Sequence, residues 1–101
     1  MPSTILAIAA HPGDALFTMG ACVAQHIHSG GQGIFLSLSL GERGHPTIPP
    51  KEYGALQRAA TENAAKILGA QADCLSYPDA EVPFNDEASF AVCDRIRRYK
   101  P

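Results

Sequence analysis

Cysteine is scarce and unpatterned. The 101-residue chain has three, Cys22, Cys74 and Cys93, an odd set with no CxxC spacing. That excludes a disulfide framework and a thiolate zinc site, and it predicts reduced, buried thiols in a cytoplasmic protein. Basic charge is equally short: 8 Lys and Arg against 10 Asp and Glu give a net charge of −2. Nucleic acid is therefore not an expected partner, because gripping phosphates needs a basic excess. The basic residues that do cluster, Arg95, Arg97, Arg98 and Lys100, close a helical segment, where cations are favoured. No apolar run approaches the roughly 20 residues of a membrane span. Residues 5–10 are too short for a signal-peptide core and lack its charged lead and cleavage site. Repeats and low-complexity segments are also missing. Gly30-Gly31-x-Gly33 precedes a strand instead of linking strand to helix, so it is no dinucleotide fingerprint.

What is present is an ordinary globular balance, 46% apolar and 18% charged, in a length that suits one small domain. Residues 4–10 form a continuous apolar run, the pattern of a strand covered on both faces. From 14 to 29, Phe17, Gly20, Val23, Ala24 and Ile27 recur at helical spacing, and Gly30-Gly31 stops the helix. Residues 33–40 read as a second strand, with Ser37 and Ser39 small enough to lie under a helix. Residues 41–50 are broken by Gly and Pro into a loop. Tyr53, Leu56, Ala60, Ala64, Ile67 and Leu68 restore helical spacing up to Gly69. Residues 74–77 read as a third strand and 78–84 as a second loop, and Asn85 caps a helix through Phe90, Cys93 and Ile96. Strand–helix alternation of this kind predicts an α/β fold, a Rossmann-like parallel sheet with right-handed crossovers. Three strands make half of a doubly wound sheet, so residues 1–101 are expected to be one domain, the N-terminal portion of a longer protein.

The three loops that follow the strands lie at the same end of a parallel sheet, where such folds bind ligands. His11, Asp14, Glu42, Arg43, His45 and Asp79 are thereby predicted to converge. His11 and Asp14 stand three apart after a buried strand, and an imidazole nitrogen with a carboxylate oxygen suits a zinc ion. Asp14 taken alone is also a good helix N-cap, and His11 taken alone an ordinary loop histidine. His45 is read as a solvated loop residue and Glu42 as a partner for loop backbone, with third ligand and base as their lesser alternatives. His26 and His28 point to different faces of their helix and are read as structural or solvated.

Ala10-His11-Pro12-Gly13-Asp14-Ala15 resembles the Ala-His-Pro-Asp-Asp-Glu motif of the LmbE-like or PIG-L family of zinc-dependent de-N-acetylases. Further along, Leu40-Gly41-Glu42-Arg43-Gly44 resembles the family's Gly-Glu-x-Gly loop. Arg58 with Ala64-Ala65 and Ile67-Leu68-Gly69 resembles its second helix, and Tyr77-Pro78-Asp79-Ala80 its Pro-Asp-Gly turn. The resemblance implies the N-terminal half of a three-layer LmbE-like fold and a catalytic Zn2+ held by His11, Asp14 and a later histidine. It also implies hydrolysis of the acetamide of an N-acetylated amino-sugar conjugate by a metal-activated water. Arg58 and Asp79 resemble substrate-binding pocket residues.

Two departures bear on catalysis. Gly13 stands where the family carries its general base, and glycine takes no proton, so no catalytic residue is assigned. No His-x-x-His-type segment follows Asp14, so the third ligand is missing as well. Three functions are therefore weighed: part of a zinc-dependent deacetylase; a non-catalytic sugar- or metal-binding module; and a generic Rossmann-like domain in which His11 and Asp14 are structural. A homo-oligomer is compatible with the sequence but not argued by it.

Overall fold

The structure, a computed structural model, describes residues 3–101. Six elements follow in order: β1 (Thr4–Ala9), α1 (Pro12–His28), β2 (Gln32–Ser37), α2 (Pro50–Leu68), β3 (Gln71–Cys74) and α3 (Asp86–Tyr99). The strands pair in parallel in the order β1-β2-β3, the α/β alternation expected from the apolar pattern.

Alternation along the strands divides the molecule into layers. Ala7 and Phe35 are buried in one cluster with Ala15 and Val23 of α1 and Ala65 of α2, and Ala72 of β3 packs against it. Ile34 and Leu36, between these positions, face the other way and are also buried. Asp73, next to Ala72, likewise points to the opposite face, where its carboxylate meets Arg95 and Tyr99 of α3. Two helices thus cover one face of the sheet and α3 lies on the other. Ser37 and Ser39 are buried, small residues under this packing.

Several boundaries and faces depart from the sequence reading. The third strand runs from Gln71 to Cys74, not from 74 to 77, because Ser76 takes a positive φ of 63° that no strand tolerates. Strand β2 ends at Ser37. Beyond it Leu38 and Ser39 still donate to the carbonyls of Ala9 and Ala10, which carries the pairing to the edge of the site. Helix α2 starts earlier than the apolar spacing indicated, with Pro50 at its first position, where a missing N–H costs nothing. Phe17 does not face the core: it is 93% exposed, since Ala15, Leu16, Met19, Val23 and Ile27 form the stripe against the sheet. The cysteines are free but not buried as expected. Cys22 and Cys93 are exposed and Cys74 half-buried, because Cys22 lies beside the buried Val23 instead of on its stripe and α3 fully buries no residue.

Local chemistry accounts for the helix ends. The Asn85 side chain accepts the Ala88 N–H at 2.9 Å, capping α3. Gly69, at φ 77°, ends α2 in the left-handed conformation open to glycine. His26 closes α1 onto the chain start: its Nε2 lies 2.9 Å from the Ser3 carbonyl, a structural role. Among the described residues, no helix is long and apolar enough to cross a membrane.

Candidate active site

Parallel pairing places the ends of all three strands on one rim. His11 is the N-cap of α1, in extended backbone, with Pro12 at the first helical position. The imidazole therefore stands on the corner between strand and helix. Asp14 falls in the first turn, one turn above it, so Asp14 is not the N-cap. Its carboxylate is instead free to face the ring: His11 Nδ1 and Asp14 Oδ2 are 3.5 Å apart, with the two side chains 45% and 60% exposed.

The opposite ring nitrogen is anchored. His11 Nε2 donates to Asp79 Oδ1 at 2.8 Å, since a carboxylate only accepts. Asp79 Oδ2 accepts the Arg43 N–H at 3.0 Å, and the Asp79 N–H donates to the Glu42 carboxylate at 2.8 Å. Burial alone would raise the Asp79 pKa. The hydrogen bonds from His11 and the Arg43 backbone, with the attraction of the imidazole, outweigh it and hold the carboxyl below its ordinary value of 3.8. Asp79, expected to touch substrate, has a side chain only 12% exposed and stands behind the imidazole. Its turn is closed by the Glu81 N–H on the Pro78 carbonyl. Ala80 sits third in that turn at φ 65°, a position that favours glycine. The resembled family motif has glycine there, so this chain carries about 1 kcal/mol of local strain instead.

Gly41 supports the same ring from below. It has φ 68°, and a Cβ built there would lie 3.4 Å from His11 Cδ2. Gly41→Ala is therefore expected to destabilise the protein by about 1–2 kcal/mol through the left-handed backbone, with the new methyl in ordinary contact with the His11 ring. Thermal unfolding and the His11 ring resonances check this.

The remaining candidates are placed as follows. Glu42 bonds loop backbone, as read from sequence. His45 organises its own loop: Nδ1 accepts from Thr47 and Ile48 N–H at 3.1 and 2.9 Å, and the ring packs on Tyr53 at 5.0 Å. Arg58 is exposed on α2 and donates to Ser76 Oγ at 3.2 Å. Among the described residues, no group of three or more His, Cys, Asp and Glu side chains could hold a metal ion, so the site is a pair of donors with an oriented imidazole. The sequence reading brought His11 and Asp79 to the same rim but did not foresee the direct hydrogen bond between them. It spans 68 positions, and only the common polarity of strands β1 and β3 hinted at it.

Three solved structures share this arrangement of elements. The 4-carboxy-2-hydroxymuconate hydratase GalB of Pseudomonas putida KT2440 is 27% identical with a TM-score of 0.88, covering 100% of this chain and 45% of its own. The N,N'-diacetylchitobiose deacetylase of Pyrococcus horikoshii is 25% identical with a TM-score of 0.89, covering 98% and 38%. The conserved protein TT1542 of Thermus thermophilus is 25% identical with a TM-score of 0.81, covering 100% and 44%. The chain thus spans less than half the length of each. No curated protein sequence matches it significantly. The profile of one family, described as GlcNAc-PI de-N-acetylase, matches residues 6–101. With nearly its whole length aligned, from the apolar strand before His11 to the end of α3, the chain belongs to the PIG-L family.

Proposed function

We propose that this chain supplies two ligands and the orienting carboxylate of a zinc-dependent de-N-acetylase site acting on an N-acetylated amino-sugar conjugate, with a third ligand from outside these residues. The observation that carries the reading is the 3.5 Å gap between His11 Nδ1 and Asp14 Oδ2. Tetrahedral zinc with bonds near 2.0–2.1 Å sets neighbouring ligand atoms about 3.3 Å apart. With the Nε2 proton directed at Asp79, Nδ1 turns its lone pair toward the Asp14 carboxylate, two acceptors that a cation reconciles. A carboxylate behind a metal-binding histidine fixes its tautomer and ring direction. A divalent cation held by His11 and Asp14 would supply polarisation of the acetamide carbonyl and a lowered pKa for a bound water.

In this division of labour His11 and Asp14 hold the metal position, Asp79 orients His11, and the Glu42 carboxylate holds the Asp79 backbone. Gly13 offers no group to take a proton, which favours the second reading, a binding module on the same scaffold. One neighbour is named a hydratase, and fold alone does not choose the reaction. The three free cysteines suit a reducing compartment, and we place the protein in the cytoplasm on that basis.

Metal analysis after equilibration with zinc and removal of excess is expected to find zinc retained. His11→Ala and Asp14→Ala should abolish retention, and Asp79→Asn should weaken it about 10- to 100-fold. Retention unchanged in both alanine variants would sink the metal site. Amine release from an N-acetylglucosamine conjugate then separates hydrolase from binding module.

A further inference from the structure

The loop after β2 and the turn after β3 are stitched together at consecutive residues. The Glu42 carboxylate accepts the Asp79 N–H at 2.8 Å, and the Arg43 N–H donates to Asp79 Oδ2 at 3.0 Å. Beyond them the Arg43 guanidinium forms an ion pair with the Glu81 carboxylate. Backbone and side chain of Arg43 thus grip one turn at two points, Asp79 and Glu81.

That turn needs holding. Ala80 stands between the two points at φ 65°, a conformation that alanine keeps only where its surroundings enforce it. The loop opposite is shaped for the task. Gly44 N–H closes a turn on the Gly41 carbonyl at 3.0 Å, with Gly41 at φ 68°, and Glu42 and Arg43 are the two residues in its middle.

The consequence falls on His11. The Arg43 N–H occupies one oxygen of the Asp79 carboxylate, and the other is left to His11 Nε2 at 2.8 Å. Without the first bond the carboxylate is free to rotate, and the imidazole loses its fixed acceptor. We propose that Arg43 and Glu81 are positioning residues, their ion pair holding the two loops together so that Asp79 keeps His11 in one tautomer and ring direction. Both act through Asp79. Their bearing on metal binding rests on the proposed function; the ordering of the ring does not. Both side chains are about half exposed, so solvent screens the pair and its removal has a graded effect.

The test follows the His11 Nε2 proton by NMR in 15N-labelled, metal-free protein at about pH 8, above the ordinary histidine range. The parent chain is expected to show a single Nε2–H tautomer whose proton exchanges slowly with water, and Asp79→Ala gives the reference for complete loss. Arg43→Ala and Glu81→Ala should each speed the exchange about two- to fivefold, the size of effect an exposed ion pair carries. The double variant should be no faster than either single one, because the two residues form one contact. Exchange unchanged in both single variants, even with a lowered Tm, overturns the proposal, since the pair would then only stabilise the loops. Effects that add in the double variant overturn it too, because the residues would then act separately. No zinc enters the measurement, so its failure leaves the His11–Asp14 metal reading standing, and the reverse holds too.

Discussion

Replacing Gly13 with aspartate is expected to raise acetamide hydrolysis by about 10²–10⁴-fold, the usual contribution of one positioned base. Gly13 lies between His11 and Asp14 on the first turn of α1, so a carboxylate there would stand beside the proposed metal position. The backbone allows it, since Gly13 is not among the glycines with positive φ. Space allows it too, because a Cβ would meet only the exposed Phe17 ring, at 3.7 Å. Glycine inside a helix costs up to about 1 kcal/mol, and a negative charge in the first turn is favoured by the helix dipole. The variant should therefore fold at least as well as the parent. Gly13→Asn is the control, matching the shape without the base. Amine release by the zinc-loaded protein decides the matter: an aspartate variant no faster than the asparagine one means that a missing carboxylate is not what limits this site.

Asp73→Ala should cost about 2–3 kcal/mol of stability, the loss of a partly buried charge that holds several donors. For a domain of this size that lowers Tm by roughly 10–20 °C. Asp73 Oδ2 accepts from Arg95 Nε at 2.7 Å and from the Tyr99 hydroxyl at 2.6 Å. Its Oδ1 accepts the Cys74 N–H at 2.8 Å. Helix α3 fully buries none of its residues, so these polar bonds tie it to β3. Burial raises the Asp73 pKa, but the bonds from Tyr99, Arg95 and Cys74 lower it further, to a value below 3.8. A depressed carboxylate stabilises the fold fully above its unfolded pKa and loses that contribution as pH falls through the folded value. Tyr99 is shifted the other way: burial, then the bond to Asp73, raise it above 10.0, so its share is lost only as pH rises through the raised value. The gap in denaturant stability between wild type and Asp73→Asn should therefore be larger at pH 7 than at an acid pH well below 3.8. Equal gaps at both pH values would mean that the carboxylate charge does not anchor α3.

Legibility varied with the range of the interaction. The apolar run before His11, the helical spacing at Val23 and Ile27 and the stop at Gly69 are local signals, and each element they announced is present. The third strand slipped because a positive φ at Ser76 has no mark in a serine's identity. Phe17 and Phe90 were assigned to packed faces because spacing reports a stripe but not which stripe meets the sheet. At the site, His11 and Asp14 were visible as neighbours in one motif. Asp79 was visible only as a member of the right turn, and its direction depended on the loop after β2 closing over it.

The chain's order of apolar and breaker residues by itself determined an α/β layer and the rim on which any chemistry would collect, because strand polarity follows from alternation. Its Pro12 and the strand before it likewise determined that an imidazole would stand on a strand–helix corner. Only the tertiary structure decided which His11 nitrogen is left for a ligand, since that depends on a carboxylate reaching it from the far side of the sheet. It alone also set the Arg58 guanidinium against Ser76 of the turn after β3. Side-chain direction between distant segments is settled by how layers stack, and no local propensity records it.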